Sequence, residues 1–244
     1  MRLLEPLTPD PRAPLARAHP LAKIGAALVL MFALFITIDP LTPALVLIAE
    51  IAAVPLIGIP SRALFRRALP AFIGAIGIGF FNALLSGDVI GGVAIGLRLV
   101  GIALAGIVAV ASIDPTELAD ALVEHLHAPR RFTVGALAAF RLMPLFADEW
   151  QTIAMARRAR GLDNGRIAFF SMTRALLVAA IRRATRLAVA MDGRGFADPG
   201  CRTLARPRAI DARDWSLIAA AIAIAVMTAG VSVAAGSWRF FLGR

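Results

Sequence analysis

Five stretches of this chain, at about 21–38, 41–59, 68–85, 89–113 and 215–236, are apolar for nearly their whole length. Each approaches the roughly 20 residues that a helix needs to cross a hydrocarbon core. Lipid offers no hydrogen bonds, so a spanning segment must satisfy its backbone internally, as a helix does. Asp39-Pro40 ends the first run and Pro60 the second, and the short connections at 39–40 and 86–88 suit antiparallel hairpins. Hydrophobic residues make up 59% of the chain, above the roughly 45–50% of a soluble domain. The expected fold class is an all-α integral membrane protein, with about five transmembrane helices and a cytoplasmic arm of amphipathic helices.

Charge orients the spans. Arg62, Arg66 and Arg67 lie between spans two and three, and the 39–43 and 86–88 connections carry no Lys or Arg. Of the 26 basic residues, 16 fall in 114–214. The positive-inside rule places the N-terminus, the 60–67 loop and 114–214 in the cytoplasm of an inner-membrane protein. The C-terminal tail then lies on the far side, with Arg239 and Arg244 weakly opposing. The chain divides into a leader (1–20), a bundle of four spans (21–113), a polar region (114–214) and a last span with its tail (215–244). The leader is rich in proline (Pro6, Pro9, Pro11, Pro14, Pro20) and reads as retained rather than cleaved.

The formal charge of +10 is accounted for by this orientation and calls for no nucleic acid. Lys23 is the single lysine, so no Gly-Lys-Ser/Thr phosphate loop exists, and the chain binds no ATP by that route. Cys201 alone makes neither an intramolecular disulfide nor a cysteine cluster, and His19, His125 and His127 lack metal-site spacing. No cofactor or metal is expected on this chain. Two ionisable residues fall inside spans: Glu50 and Arg98 each lie nine residues from the start of their spans at Leu41 and Val89. At ~1.5 Å per residue they share a depth, and an intramembrane ion pair between them is expected because isolated charges there are costly. Glycines at 74, 77, 79, 91, 92, 96, 101 and 106 invite close helix packing, with Gly92 and Gly96 forming a small-xxx-small pair.

The polar region holds the feature hardest to assign to the bilayer. Asp114-Pro115-Thr116-Glu117 opens a helix with Leu118, Leu122 and Leu126, which breaks at Ala128-Pro129-Arg130-Arg131. A further run over 132–150 contains Arg141 and Pro144, and Trp150, Ile153, Ala156 and Arg160 continue at helical spacing. Leu177, Ile181, Ala184, Ala188 and Met191 form an apolar stripe, with Arg174, Arg182, Arg183 and Arg186 largely off it. Both runs end on Arg-Gly: Ala159-Arg160-Gly161 and Gly193-Arg194-Gly195. Glycine suits a left-handed cap, and arginine complements a helix C-terminus by only a few tenths of a kcal/mol. The repetition points to contacts with a soluble partner, separated by one helix of about 20 residues, or roughly 30 Å.

These residues resemble a family. His19-Pro20-Leu21-Ala22-Lys23-Ile24, Ser112–Leu122, Pro129-Arg130-Arg131, Arg141-Leu142-Met143-Pro144-Leu145, Ala156–Gly161, Arg182-Arg183-Ala184, Ala190–Phe196 and Arg202-Thr203 follow the order and spacing of the T component of energy-coupling-factor (ECF) transporters. The resemblance covers about 19–210. It implies a non-catalytic subunit joining a small substrate-binding (S) membrane protein to two ABC-type ATPases, for uptake of a vitamin or transition-metal ion. ATP and Mg²⁺ would sit on the ATPases. The family's Ala-Arg-Gly motifs, which end its coupling helices and dock on the ATPases, map to Ala159, Arg160, Gly161 and to Gly193, Arg194, Gly195, with Gly193 replacing the commoner alanine. A membrane-bound enzyme would need an acid–base or metal cluster that the sequence does not display, and a stand-alone carrier would favour inverted repeats.

Overall fold

The structure, a computed structural model, describes residues 13–58, 60–162, 166–195 and 208–237. The start of the leader, Phe196, Cys201, Arg202-Thr203, Arg239 and Arg244 lie outside the described residues. Those described form eight helices: α1 Pro20–Ile36, α2 Leu41–Ile57, α3 Ser61–Ser86, α4 Val89–Ala111, α5 Pro115–His125, α6 Arg130–Ala159, α7 Arg166–Gly193 and α8 Ala212–Ala234. No strand occurs among them. The protein is an all-α membrane protein.

Local signals set the helix ends. Pro20 opens α1, where a missing N–H costs nothing, and His19 caps it by accepting from Leu21 N–H. Asp88 caps α4 by accepting from Gly91 N–H at 3.0 Å. Gly58 and Gly87 end α2 and α3 in the left-handed conformation. Helix α3 starts earlier than expected, at Ser61, so Arg62, Arg66 and Arg67 are helical rather than in a loop. Arginine is a good helix former, and nothing between Pro60 and Ala68 interrupts the turn.

The chain forms two compact units, residues 1–121 with 208–244, and residues 122–207, with the division falling inside α5. In the first unit α3 pairs with α4, α1 packs on α4 and α8, and α2 packs on α4 and α8. The last helix therefore closes on the first two. Helices α3, α4 and α8 are long and apolar enough to cross a membrane, whereas α1 and α2, at 17 residues each, are shorter apolar helices. Seventeen residues is the lower end of what spans, roughly 25 Å. Ile73, Ile76, Phe80, Phe81, Leu84 and Leu85 on α3 stay exposed, as lipid-facing side chains do.

Glycine brings α3 and α4 together. A Cβ on Gly79 would meet the Gly92 carbonyl at 2.8 Å, and one on Gly92 would meet the Gly79 carbonyl at 2.6 Å as well as the Ala83 side chain. The small-residue stripe is thus an internal seam of the bundle. Gly74, Gly77 and Gly106 lie outside it, facing open space.

In the second unit, α6 runs unbroken through Pro144 for 30 residues. The separate runs read from the sequence are one helix. Helix α7 has 28 residues, ~42 Å long rather than the expected 30 Å. The two helices pair antiparallel. Trp150 stacks edge-on to Phe169 at 5.6 Å, Arg157 donates to Ser171 Oγ at 2.9 Å, and Arg183 bonds Glu149 at 3.3 Å while lying over the Phe146 ring.

Candidate functional site

The two Arg-Gly ends have the geometry that glycine makes cheap. Helix α6 stops at Ala159, and Gly161 follows with φ +67°. Gly161 N–H bonds Arg158 C=O at 3.0 Å and Leu162 N–H reaches back to Arg157 C=O at 3.2 Å, so these two carbonyls of the last turn are satisfied. At the second end Arg194 N–H bonds Met191 C=O and Gly195 N–H bonds Asp192 C=O at 2.9 Å, with Gly195 at φ +70°. Gly193 is still helical, so the left-handed turn belongs to Gly195 alone. Ala159, Arg160, Gly161, Gly193 and Arg194 are exposed. Neither the Arg160 nor the Arg194 guanidinium has a hydrogen-bond or ion-pair partner among the described residues. Each end presents a forked donor that none of the described residues uses.

Exposed apolar surface extends along both helices. Phe132, Phe140, Met155, Phe169, Phe170, Leu177, Ile181 and Val189 are exposed large hydrophobics. With Arg174, Arg182 and Arg186 also exposed, α6 and α7 offer apolar and cationic surface together.

Glu50 and Arg98, expected to pair, do not. Neither carboxylate oxygen of Glu50 has a hydrogen-bond partner among the described residues. The Arg98 guanidinium instead donates to the Phe35 carbonyl and lies over the Phe35 ring, 5.5 Å from its centroid. Phe35 C=O is one of the last carbonyls of α1, which a cation complements. Equal depth failed as an argument because α2 and α4 are staggered. Glu50 shares a cavity with Ala105, Val108 and Ala109 of α4. Arg98 precedes Ala105 by seven residues, about 10 Å along the axis.

Two polar clasps, unread in the sequence, hold the bundle at opposite ends. At one end Asp214 accepts from His19 N–H at 2.6 Å and from Asp211 N–H at 2.9 Å. Beside it Lys23 donates to the carbonyls of Ala16 and Ser112, and Arg208 bonds Glu117 at 3.1 Å and the Arg17 carbonyl. At the other end Asp39 Oδ2 accepts from Thr42 N–H, Thr42 Oγ1 and Ser232 Oγ at 2.8, 2.8 and 2.6 Å. Burial pushes the Asp39 carboxyl up, but the Ser232 and Thr42 hydrogen bonds outweigh it and hold it below the usual carboxylate range. In sequence Asp39 marks a span end and Asp214 merely precedes the last apolar run, and neither position shows its distant partner.

No cluster of His, Cys, Asp and Glu suited to a metal occurs among the described residues. The sequence profile of a family described as cobalt transport protein, CbiQ, matches residues 11–203. The chain belongs to this family. It is 30% identical over 164 residues, 62% of each chain, to a Bacillus subtilis protein named energy-coupling factor transporter transmembrane protein EcfT. Proteins of the same name from Limosilactobacillus fermentum (35% over 132 residues; 48% of this chain, 49% of the relative) and Staphylococcus aureus (30% over 151 residues; 56% of each) are also similar. The chain thus matches less than two thirds of the length of these relatives. Both Arg-Gly ends of this CbiQ-family protein fall inside the matched region, and the resemblance read from its motifs holds.

Proposed function

We propose that this CbiQ-family chain is the transmembrane T subunit of an ECF-type ABC importer. It joins two ATPase subunits to a small substrate-binding membrane subunit and supports uptake of a vitamin or transition-metal ion. ATP and Mg²⁺ belong to the ATPases, and this chain carries no chemical step.

The observation that carries the reading is the matched pair of helix ends. Arg160 and Arg194 are each exposed at a capped terminus, followed by a left-handed glycine. An arginine fork so placed can grip a carboxylate by two hydrogen bonds in a groove of another protein. Two such ends, joined by a 28-residue helix, serve two copies of one partner. The apolar side chains along α6 and α7 supply the surface for the S subunit and the ATPases. Coupling is mechanical: the nucleotide shifts the ATPase pair between two states that contact α6 and α7 differently, and only that difference moves the chain. The N-terminus and residues 114–214 face the cytoplasm in this reading.

A tagged chain expressed with its neighbouring subunits should copurify two ATPases and one small membrane protein. Changing Arg160 and Arg194 together to alanine should cut ATPase recovery by at least ~100-fold, the scale of losing two buried charged anchors at an interface, while the chain still enters the membrane. Full ATPase recovery by the double variant would overturn the assignment.

A further inference from the structure

We propose that the pocket lined by α1, α2, α4 and α8 is a binding site for a small amphiphile, a hydrocarbon body with one N–H or O–H donor, and that the donor bonds Glu50. This goes beyond the coupling role and uses no residue of α6 or α7.

The cavity has a volume of about 240 Å³. Apart from Lys23, Glu50 and Ser112 its walls are aliphatic, including Ala53, Ala105 and Ala221. Glu50 is only 7% exposed, and neither of its oxygens accepts a hydrogen bond from the described residues. The lysine does not answer it: the Lys23 ammonium is held by the carbonyls of Ala16 and Ser112 at 2.9 and 2.8 Å. A carboxyl left without donors in a hydrocarbon setting is costly, and none of the described residues supplies one.

Size and lining choose the occupant. A dry apolar cavity of ~150 Å³ admits benzene, so this one takes roughly nine heavy atoms, an eight-carbon chain with a polar end. Water fits worse, since it needs two to four polar partners and these walls concentrate theirs at Glu50 and at Lys23 and Ser112, which are already hydrogen-bonded. A purely apolar guest would fill the space and leave Glu50 unanswered. A donor-bearing amphiphile meets both demands, and its seat touches four helices, including the first and the last.

The test is photolabelling of the full chain in lipid nanodiscs with a diazirine-bearing octanol, mapped by peptide mass spectrometry. Label should concentrate on the segments carrying Ala53, Ala105 and Ala221 and be displaced by excess octanol or octylamine but not by octane. Stronger displacement by octylamine would assign an ammonium guest, and stronger displacement by octanol a hydroxyl one. Glu50→Leu should lower the labelling ~tenfold, the scale of one buried hydrogen bond. Ala53→Phe, which keeps the carboxyl and fills the space, should abolish it. Displacement by octane equal to that by octanol, label spread over the lipid-facing side chains of α3, or wild-type labelling of either folded variant would overturn the proposal.

Discussion

Gly193 and Gly195 sit two residues apart and differ in what they tolerate. Gly193 is helical with open space around its Cα, whereas Gly195 is held at φ +70°. Gly193→Ala should therefore preserve ATPase capture and stabilise α7 by ~0.5–1 kcal/mol. Gly195→Ala, with a side chain in left-handed backbone, should cost about 1–2 kcal/mol and weaken capture; quantitative pull-down of the two variants side by side checks both. Asp39 carries a pH dependence. Its folded carboxyl is held below the ordinary range, so its contribution is present above the unfolded pKa of about 3.9 and is lost as pH falls through the folded value. Asp39→Ala should lower stability near neutral pH by ~1–3 kcal/mol. It should also flatten the acid-side loss, as read by thermal melting from about pH 7 down to about pH 3.

Among the elements, the α3–α4 seam allows the sharpest comparison. Gly92→Ala would set a Cβ 2.6 Å from the Gly79 carbonyl, backbone that cannot step aside, while Gly74→Ala points into open space. The first should cost about 1–3 kcal/mol and the second almost nothing, as melting of the purified variants would measure. The α6–α7 pair behaves differently. The Arg183–Glu149 bridge is about one third exposed on both sides, so it contributes only ~0.2–1 kcal/mol. Ring packing of Trp150 on Phe169 does more of the holding. Pro144 shows why element length was harder to read than element type. A proline costs its helix one bond and a clash, and its neighbours decide whether the helix stops. Here it continues, making α6 30 residues long.

For the molecule as a whole, the testable property is sidedness. In a Cys201→Ser background, Leu162→Cys and Asp192→Cys should react with a membrane-impermeant maleimide from the cytoplasmic face. Ser86→Cys, at the hairpin between α3 and α4 that carries no Lys or Arg, should react from the other. Reaction of position 162 or 192 from outside would remove both ends from the reach of any ATPase.

Periodicity and composition were enough for the all-helical membrane character, for the apolar runs, and for the two Arg-Gly termini. Each depends on contacts within a few residues: hydrocarbon length, backbone satisfaction, a left-handed cap. Packing settled the remainder. Glu50 and Arg98 stand at matching positions along their own helices, yet the stagger of α2 against α4 separates them and sends Arg98 to the end of α1. Asp39 meets Ser232 and His19 meets Asp214 across more than 190 residues of chain. Which turn of one helix lies beside which turn of another depends on how all the helices fill space together, and no local pattern records that.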